Sequence, residues 1–228
     1  MMYVPSLQEA VNRYATSLAV PSMLEKLHPR TRGNPGNAGA LAPAIVLTSV
    51  SAFEGFVEEF LALVAAHRNQ SFGQIAKLVS MNNPTVRVFD EKLRQVLAWG
   101  DGTSWKTLFS VNVWKPPAIG DSSWIGKQTL SWADTEAHAD GWMQVRHCLT
   151  HGLARGFRSE VWPGPLRGTV AASSVLRPRS NGKHSLSVHG AESCAHIYRV
   201  CAQRLADEAA SFIGHPALDW SKVPDFKL

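Results

Sequence analysis

An all-α fold, a helical bundle that carries one small β-hairpin, is the fold class that this sequence predicts. Apolar residues recur at helical spacing in several long segments of the chain. Only one pair of short runs, on either side of Asn181 and Gly182, has the pattern of a hairpin. With 228 residues, 45% of them hydrophobic, the chain is long enough to bury a substantial core. We therefore expect a single domain over residues 1–228.

The first half of the chain contains three predicted helical segments. A helix over 6–18 is followed by a connection rich in Gly, Pro and Asn, whose glycines lack the lysine and spacing of a phosphate-binding loop. A long helix over 41–67 has Pro43 in its first turn, where proline is tolerated, and a continuous apolar stripe. A third helical region over 72–99 is expected to break near Pro84, which can start a new helix.

The second half begins with a segment of different composition. Residues 100–131 are rich in Gly, Pro, Ser and Trp, which favours an irregular insertion between bundle helices. We expect its tryptophans mainly to pack against apolar residues, with stacking on nucleobases as the alternative. A helix over 132–153 follows, and then a hairpin within 169–189 whose Asn-Gly turn favours the type I′ geometry. The last predicted helix spans 191–213 and is ended by a glycine and a proline.

The segment GWMQVRHCLTHGLARG, residues 141–156, carries the richest chemistry of the chain. On a helical wheel of about 100° per residue, its apolar face comprises Trp142, Val145, Leu149 and Leu153. Arg146 lies at the rim of that face. The polar sector then continues through Thr150, His147 and His151, with Thr150 as a supporting residue.

Arginine and histidine are the residue types needed to cleave RNA without a metal ion. Histidine titrates near neutrality and can transfer the protons of the attacking 2′-hydroxyl and the leaving 5′-oxygen. Arginine keeps its charge and binds phosphate oxygens. Arg146 and His151 lie about 140° apart around a helix, so one helix does not easily direct both to one phosphate. Two such helices across a symmetric interface would do so, which predicts a homodimer with a composite active site.

A purely structural interpretation of the same residues is also open. A histidine in the last helical turn interacts favourably with the orphan carbonyls and the helix dipole. An arginine at the rim of a core face commonly pairs with a glutamate, here Glu54 or Glu58. The spacing of Arg, four residues and His occurs a second time at Arg179 and His184, across the predicted hairpin turn. This second occurrence shows how readily the spacing arises by chance.

MQVRHCLTHG on a late helix, with VLTSVSAFEGFVEEFLALV on an earlier one, resembles the HEPN family (higher eukaryotes and prokaryotes nucleotide-binding), in particular the group associated with RiboL-PSP proteins. The likeness extends over roughly 41–213. It implies a HEPN-like bundle acting as a homodimeric, metal-independent endoribonuclease without a cofactor, in a toxin or antiviral defence system. It also implies Arg146, His151 and His147 as catalytic residues, with Glu54 in support on the earlier helix.

A basic run from 155 to 183 suggests the partner. It contains six basic residues and one acid, Glu160, which favours either an RNA-binding face or a solvated one. A HEPN-like module that binds nucleic acid or nucleotide without cleaving it is therefore the alternative function. An antitoxin or another regulatory partner is a further expectation. The candidate RNA-binding residues are Arg155, Arg158, Arg177, Arg179 and Lys183.

Other chemistries have less support in the sequence. His147 and His151 have a metal-ligand spacing, but Cys148 lies awkwardly between them and no third ligand is clear, so we expect no metal. A serine hydrolase motif of the Gly-x-Ser-x-Gly kind does not occur. The three cysteines are expected to be reduced, buried thiols. Because glutamates interrupt the apolar stretch 40–66, we expect no membrane span and a cytoplasmic location.

Overall fold

The computed structural model of the protein describes residues 6–29, 36–100, 104–121, 126–156 and 172–226. It is mostly helical, at 64% helix, which confirms the all-α class. Two small antiparallel hairpins accompany the helices in these ranges. The elements are α1 Leu7–Leu27, α2 Leu41–His67, α3 Phe72–Val79, α4 Val86–Leu97, α5 Ser104–Leu108, β1 Val111–Trp114, β2 Lys127–Leu130, α6 Trp132–Thr150, β3 Arg177–Pro178, β4 His184–Ser185 and α7 Val188–Phe212.

Helix α2 is the central element of the core. It packs against α1, α3, α4, α6 and α7, and its buried side chains run along its whole length. Together with the preceding turn, α2 is long and apolar enough to cross a membrane by length and composition alone, since an 18-residue stretch of it has a mean hydropathy of 1.6. Of that stretch, 56% is buried within the protein, and core helices of soluble proteins are often as long and as apolar. The predicted bounds of this helix, 41–67, are confirmed.

Helix α1 is longer than its apolar spacing predicts. It continues to Leu27 rather than ending at Leu18, and it includes Pro21 in its interior. Pro21 is buried, so packing against the bundle outweighs the local preference of proline to end a helix. The break expected near Pro84 is confirmed, although α4 begins only at Val86, because Thr85 caps it by accepting a hydrogen bond from the Val88 N–H.

The expectation that residues 100–131 are irregular is wrong for the described part of this segment. The segment contains α5 and an antiparallel hairpin, in which Val111 pairs with Leu130 and Trp114 with Lys127. It packs against the bundle through aromatic rings, since the ring centroids of Trp105 and Trp132 lie 4.6 Å apart in an edge-to-face contact. Each strand has only four residues, which is too few for an alternation of apolar and polar residues to be recognised in the sequence. The packing of the segment on the bundle also depends on residues outside it. Trp105 and Trp114 of this segment are buried, which confirms the packing expectation for these two, while Trp124 lies outside the described residues.

The second hairpin is smaller than its predicted range of 169–189, of which the first three residues lie outside the described part of the chain. Its strands β3 and β4 have two residues each. The turn is not type I′, because Gly182 alone has a positive φ, of 72°, while Asn181 does not. Arg179 accepts from the Gly182 N–H at 3.0 Å and donates to the Lys183 carbonyl at 2.8 Å. This geometry is that of a three-residue loop ending in a left-handed glycine.

Helix α7 also differs from its predicted start at residue 191. It begins at Val188 because the Ser187 hydroxyl caps it, accepting a hydrogen bond from the Gly190 N–H at 3.1 Å. The cap takes the last residues of the predicted hairpin range into the helix. No Cβ fits easily at Gly190, where it would lie 3.2 Å from the Trp142 ring and 3.3 Å from the Trp114 ring. The close approach joins α7, α6 and β1 at one point.

Candidate active site

Helix α6 ends three residues earlier than predicted, and its end is built from local hydrogen bonds. The Leu153 N–H donates to the Cys148 carbonyl at 2.9 Å, and the Gly152 N–H donates to the Leu149 carbonyl at 3.3 Å. With Gly152 at a φ of 67°, this is a Schellman-type end. His151 is the C-cap residue. The chain turns away after it, so His151 is exposed at the helix end.

The buried face of α6 is rotated relative to the helical wheel. Trp142 and Val145 are buried as predicted, and Leu149 packs partly buried against the core. Leu153, however, is 54% exposed because the helix has already ended, while Cys148 is buried. The expectation that Leu153 belongs to the core face is therefore wrong.

Arg146 is held between two other elements of the bundle. Its Nη2 donates to the Glu54 carboxylate of α2 at 2.9 Å. Its Nη1 donates to Asn83 Oδ1, in the connection between α3 and α4, at 2.7 Å. The side chains of Arg146 and Glu54 are 17% and 14% exposed, so this ion pair is mostly shielded from water. The structure thus brings together Arg146 and Glu54, two of the residues singled out from the sequence.

The electrostatics of Glu54 are dominated by its burial. Burial raises the pKa of Glu54 above its usual value, the Arg146 charge lowers it, and the nearby Glu58 raises it further. The second carboxylate oxygen of Glu54, Oε1, is buried and has no hydrogen-bond partner among the described residues. The attraction of Arg146 therefore offsets only part of the cost of desolvating this carboxylate.

The two histidines, His147 in the last turn of α6 and His151 at its C-cap, form a close, tilted ring pair. The ring centroids of His147 and His151 are 4.3 Å apart, with the ring planes tilted by 55°. His147 is half-buried and His151 is exposed. Within the described ranges neither imidazole has a hydrogen-bond partner, and no hydrogen bond joins either ring to Arg146. The pair therefore presents ring nitrogens that can bind a substrate.

Thr150, predicted as a supporting residue, is bound to its own helix. Its hydroxyl donates to the Arg146 carbonyl at 2.9 Å, and the residue is exposed. This bond is the ordinary one between a threonine and the carbonyl four residues earlier. Thr150 therefore supports the backbone of the Arg146 turn.

The predicted RNA-binding residues fall into two groups. Arg155 is exposed four residues after His151. Arg177 and Arg179 line a shallow cleft of about 240 Å³ between the β3–β4 hairpin and the loop at 118–120. Burial lowers the pKa of Arg177, and the neighbouring Arg179 charge lowers it further, because two like charges lie close together at this cleft. Lys183 lies on the same hairpin, half-buried, and Arg158 lies outside the described residues.

The described residues form no metal centre, and no known protein matches the chain. In the part of the chain that the structure describes, no three His, Cys, Asp or Glu side chains are grouped so that they could hold a metal ion. Comparison with protein-family models, curated proteins and solved structures finds no match to this chain. The functional proposal therefore depends on the geometry around Arg146 and on the motif resemblance.

Asn83 is the site residue that the sequence does not reveal. It is separated from Arg146 by 63 residues and occupies a left-handed backbone conformation, with a φ of 52°. The only local signal is the sequence Asn-Asn-Pro, which predicts a turn. A turn residue reaches Arg146 only through the packing of α4 and α6, which no local pattern encodes.

Proposed function

We propose that this protein is a metal-independent endoribonuclease of the HEPN type, acting as a toxin or in antiviral defence. One observation carries the proposal: Arg146 is fixed by Glu54 directly before His147, whose ring lies against the His151 ring, and neither imidazole has a hydrogen-bond partner among the described residues. A fixed cation can stabilise the charge that develops on a phosphate, and an imidazole beside it can transfer protons, which together are the groups that phosphodiester cleavage needs. The resemblance of the motif around these residues to the HEPN family supports the same function.

The reaction would be a transesterification at one phosphodiester of the RNA. The 2′-oxygen attacks the phosphorus, its proton passes to a histidine, and the bond from phosphorus to the 5′-oxygen breaks. The leaving 5′-oxygen takes a proton, which leaves a 2′,3′-cyclic phosphate and a 5′-hydroxyl. No step of this reaction needs a metal ion or a cofactor.

Each candidate residue has a distinct role in this reaction. Arg146 has five N–H donors and uses two of them on Glu54 and Asn83, so the rest can bind the scissile phosphate. His151, exposed at the helix end, transfers the protons. His147 packs against the His151 ring and orients it.

A homodimer would supply the groups that one chain lacks. Arg146 makes no hydrogen bond to His147 or His151 in the described ranges, and its side chain is directed to Glu54 and Asn83. A second copy of α6 across a two-fold axis would bring a second His151 near the same phosphate, so that one ring accepts a proton and the other donates one. Light scattering at micromolar concentration should show a dimer, and a strict monomer that still cleaved RNA would contradict this assembly.

The cleft lined by Arg177 and Arg179 supports RNA as the partner under either function. Phosphate contacts by arginine give affinity without sequence preference. The second candidate, a HEPN-like module that binds RNA without cutting it, is favoured by the engagement of both Arg146 Nη groups within the bundle.

One experiment separates the two functions. Purified protein is incubated with total RNA in EDTA and the RNA is examined by gel electrophoresis. The endoribonuclease predicts fragments with 2′,3′-cyclic phosphate ends, and an Arg146→Ala variant should lose most of this activity. Intact RNA retained by the protein would instead establish the binding module and overturn the proposed activity.

A further inference from the structure

The connection between α3 and α4 places an amide where it contacts the candidate catalytic arginine. Asn83 Oδ1 accepts a hydrogen bond from Arg146 Nη1 at 2.7 Å, the length of a strong charge-assisted bond. Glu54 on α2 accepts from the other terminal nitrogen at 2.9 Å. The guanidinium plane is therefore fixed by acceptors on two separate elements, neither of them on α6.

The backbone at Asn83 is in an unfavourable conformation. Its φ of 52° is in the left-handed region, which side chains rarely adopt, although asparagine does so more readily than most. The residue also precedes Pro84, and a residue before proline prefers an extended backbone with negative φ. Residues held in such conformations cluster at functional sites. The conformation directs an amide at Arg146.

Burial does not account for this contact. Asn83 is exposed, so water could satisfy its amide if the Arg146 bond were absent. The core gains nothing from the side chain, whereas Thr85 and Pro84 already define the start of α4. What the bond from Arg146 to Asn83 does is to orient the Arg146 guanidinium.

The neutrality of asparagine matters for the chemistry. Glu54 both orients Arg146 and cancels much of its charge, because the two form an ion pair. An amide orients the guanidinium without cancelling any charge, which leaves a net attraction for a phosphate. A second carboxylate at this position would remove that attraction.

We propose that Asn83 is a positioning residue that fixes the Arg146 guanidinium, so that its remaining N–H groups face the phosphate of the RNA. The catalytic consequence rests on the proposed ribonuclease function, whereas the fixing of the guanidinium does not. We therefore use two readouts, one for the fixing of the guanidinium and one for catalysis, so that a failure of the positioning role can be told from a failure of the ribonuclease function.

The test compares three variants of the full chain. Asn83→Gly removes the amide but accepts the left-handed backbone, so the fold is retained. Asn83→Asp keeps an acceptor oxygen and adds a negative charge. Asn82→Ala changes the neighbouring exposed asparagine, which has no bond to Arg146, and serves as the matched control.

The first readout is the nitrogen NMR spectrum of the Arg146 guanidinium, assigned with Arg146→Lys. In the wild type and in Asn82→Ala, the terminal nitrogens should give separate signals because their rotation is restricted. In Asn83→Gly the signals should broaden or merge. An unchanged spectrum in Asn83→Gly would overturn the proposal, whether or not the protein cleaves RNA.

The second readout is the kinetics of RNA cleavage in EDTA. Asn83→Gly should lower kcat on the order of 10-fold to 100-fold, the scale of a misplaced catalytic group, with KM nearly unchanged. Asn83→Asp should instead raise KM, because the added charge repels phosphate. In an Arg146→Lys background the effect of Asn83→Gly should disappear. Wild-type kcat in Asn83→Gly would overturn the positioning role, while a wild-type chain that cuts no RNA would overturn the proposed function on which the catalytic part depends.

Discussion

Replacing Glu54 tests the balance between the burial of its carboxylate and the attraction of Arg146. In Glu54→Ala the largely shielded guanidinium loses its anion, and leaving such a group unpaired costs about 1–3 kcal/mol. Exposed ion pairs are worth less, about 0–1 kcal/mol, and this pair is only 17% and 14% exposed. We therefore expect Glu54→Ala to lower the free energy of unfolding by about 1–3 kcal/mol. Glu58→Ala, an exposed change one turn along α2, should stay within about 0.5 kcal/mol of the wild type.

Glu54→Gln gives the pH dependence of the same group. Glutamine keeps an oxygen acceptor for Arg146 but cannot titrate. Because burial raises the pKa of Glu54, the folded chain binds this proton more readily than the unfolded chain. The stability contributed by this carboxyl therefore grows as the pH falls through its raised pKa, levels off below the ordinary value of 4.5, and is lost as the pH rises. The free energy of unfolding of the wild type minus that of Glu54→Gln should increase on acidification.

Urea unfolding followed by tryptophan fluorescence measures this difference from about pH 8 down to about pH 4, a range that includes the interval between the raised pKa of Glu54 and its ordinary value of 4.5. Both proteins share all other titrating groups, so their contributions largely cancel in the comparison. A difference that decreases on acidification would refute the reasoning. It would mean that the attraction of Arg146 outweighs the burial of Glu54.

Three further outcomes follow from contacts elsewhere in the bundle. Gly156→Ala should lower the free energy of unfolding by about 2–5 kcal/mol, since the added Cβ would lie 2.7 Å from both Leu149 and Pro43 and φ is 83°. Gly152→Ala, which has open space around the added Cβ, should lower it by only about 1–2 kcal/mol. Equal losses for the two variants in urea unfolding would contradict the packing around Gly156. Lys106→Met should cost about 1–3 kcal/mol, because the buried Asp90 loses a partner at 2.6 Å, whereas a thermal melt as high as that of the exposed Lys115→Met would contradict this. Burial raises the pKa of all three thiols, so a chromogenic thiol reagent should react fast only after denaturation, and a fast native thiol would argue against the buried positions of Cys148, Cys194 and Cys201.

The sequence predicts those features that depend on contacts within one helix or between strong apolar stripes. The bounds of α2 follow from its stripe and from Pro43 in its first turn. The pairing of Arg146 with a glutamate of that helix follows from the place of Arg146 at the rim of an apolar face. Glu54 was the candidate in both the catalytic and the structural interpretation, so the observed pair does not distinguish them.

The features that the sequence does not predict depend on distant contacts. α5 and the β1–β2 hairpin are short and become regular because Trp105 packs on Trp132, while Lys106 binds Asp90 of α4. The extent of α1 depends on packing that overrides Pro21. Asn83 enters the site from a turn whose left-handed backbone has no unambiguous local signal.

The measurement that tests the central proposal most directly is the rate of RNA cleavage by His151→Ala in EDTA, beside its thermal stability. If His151 transfers protons, the rate should fall on the order of 10²-fold or more, with the remaining product still ending in a 2′,3′-cyclic phosphate. His184→Ala, in the chance repeat of the same spacing on β4, should cleave at nearly the wild-type rate. If His151 only caps α6, its removal should lower the stability by about 1 kcal/mol or less and leave the cleavage rate unchanged. That result would contradict the assignment of α6 as the catalytic helix.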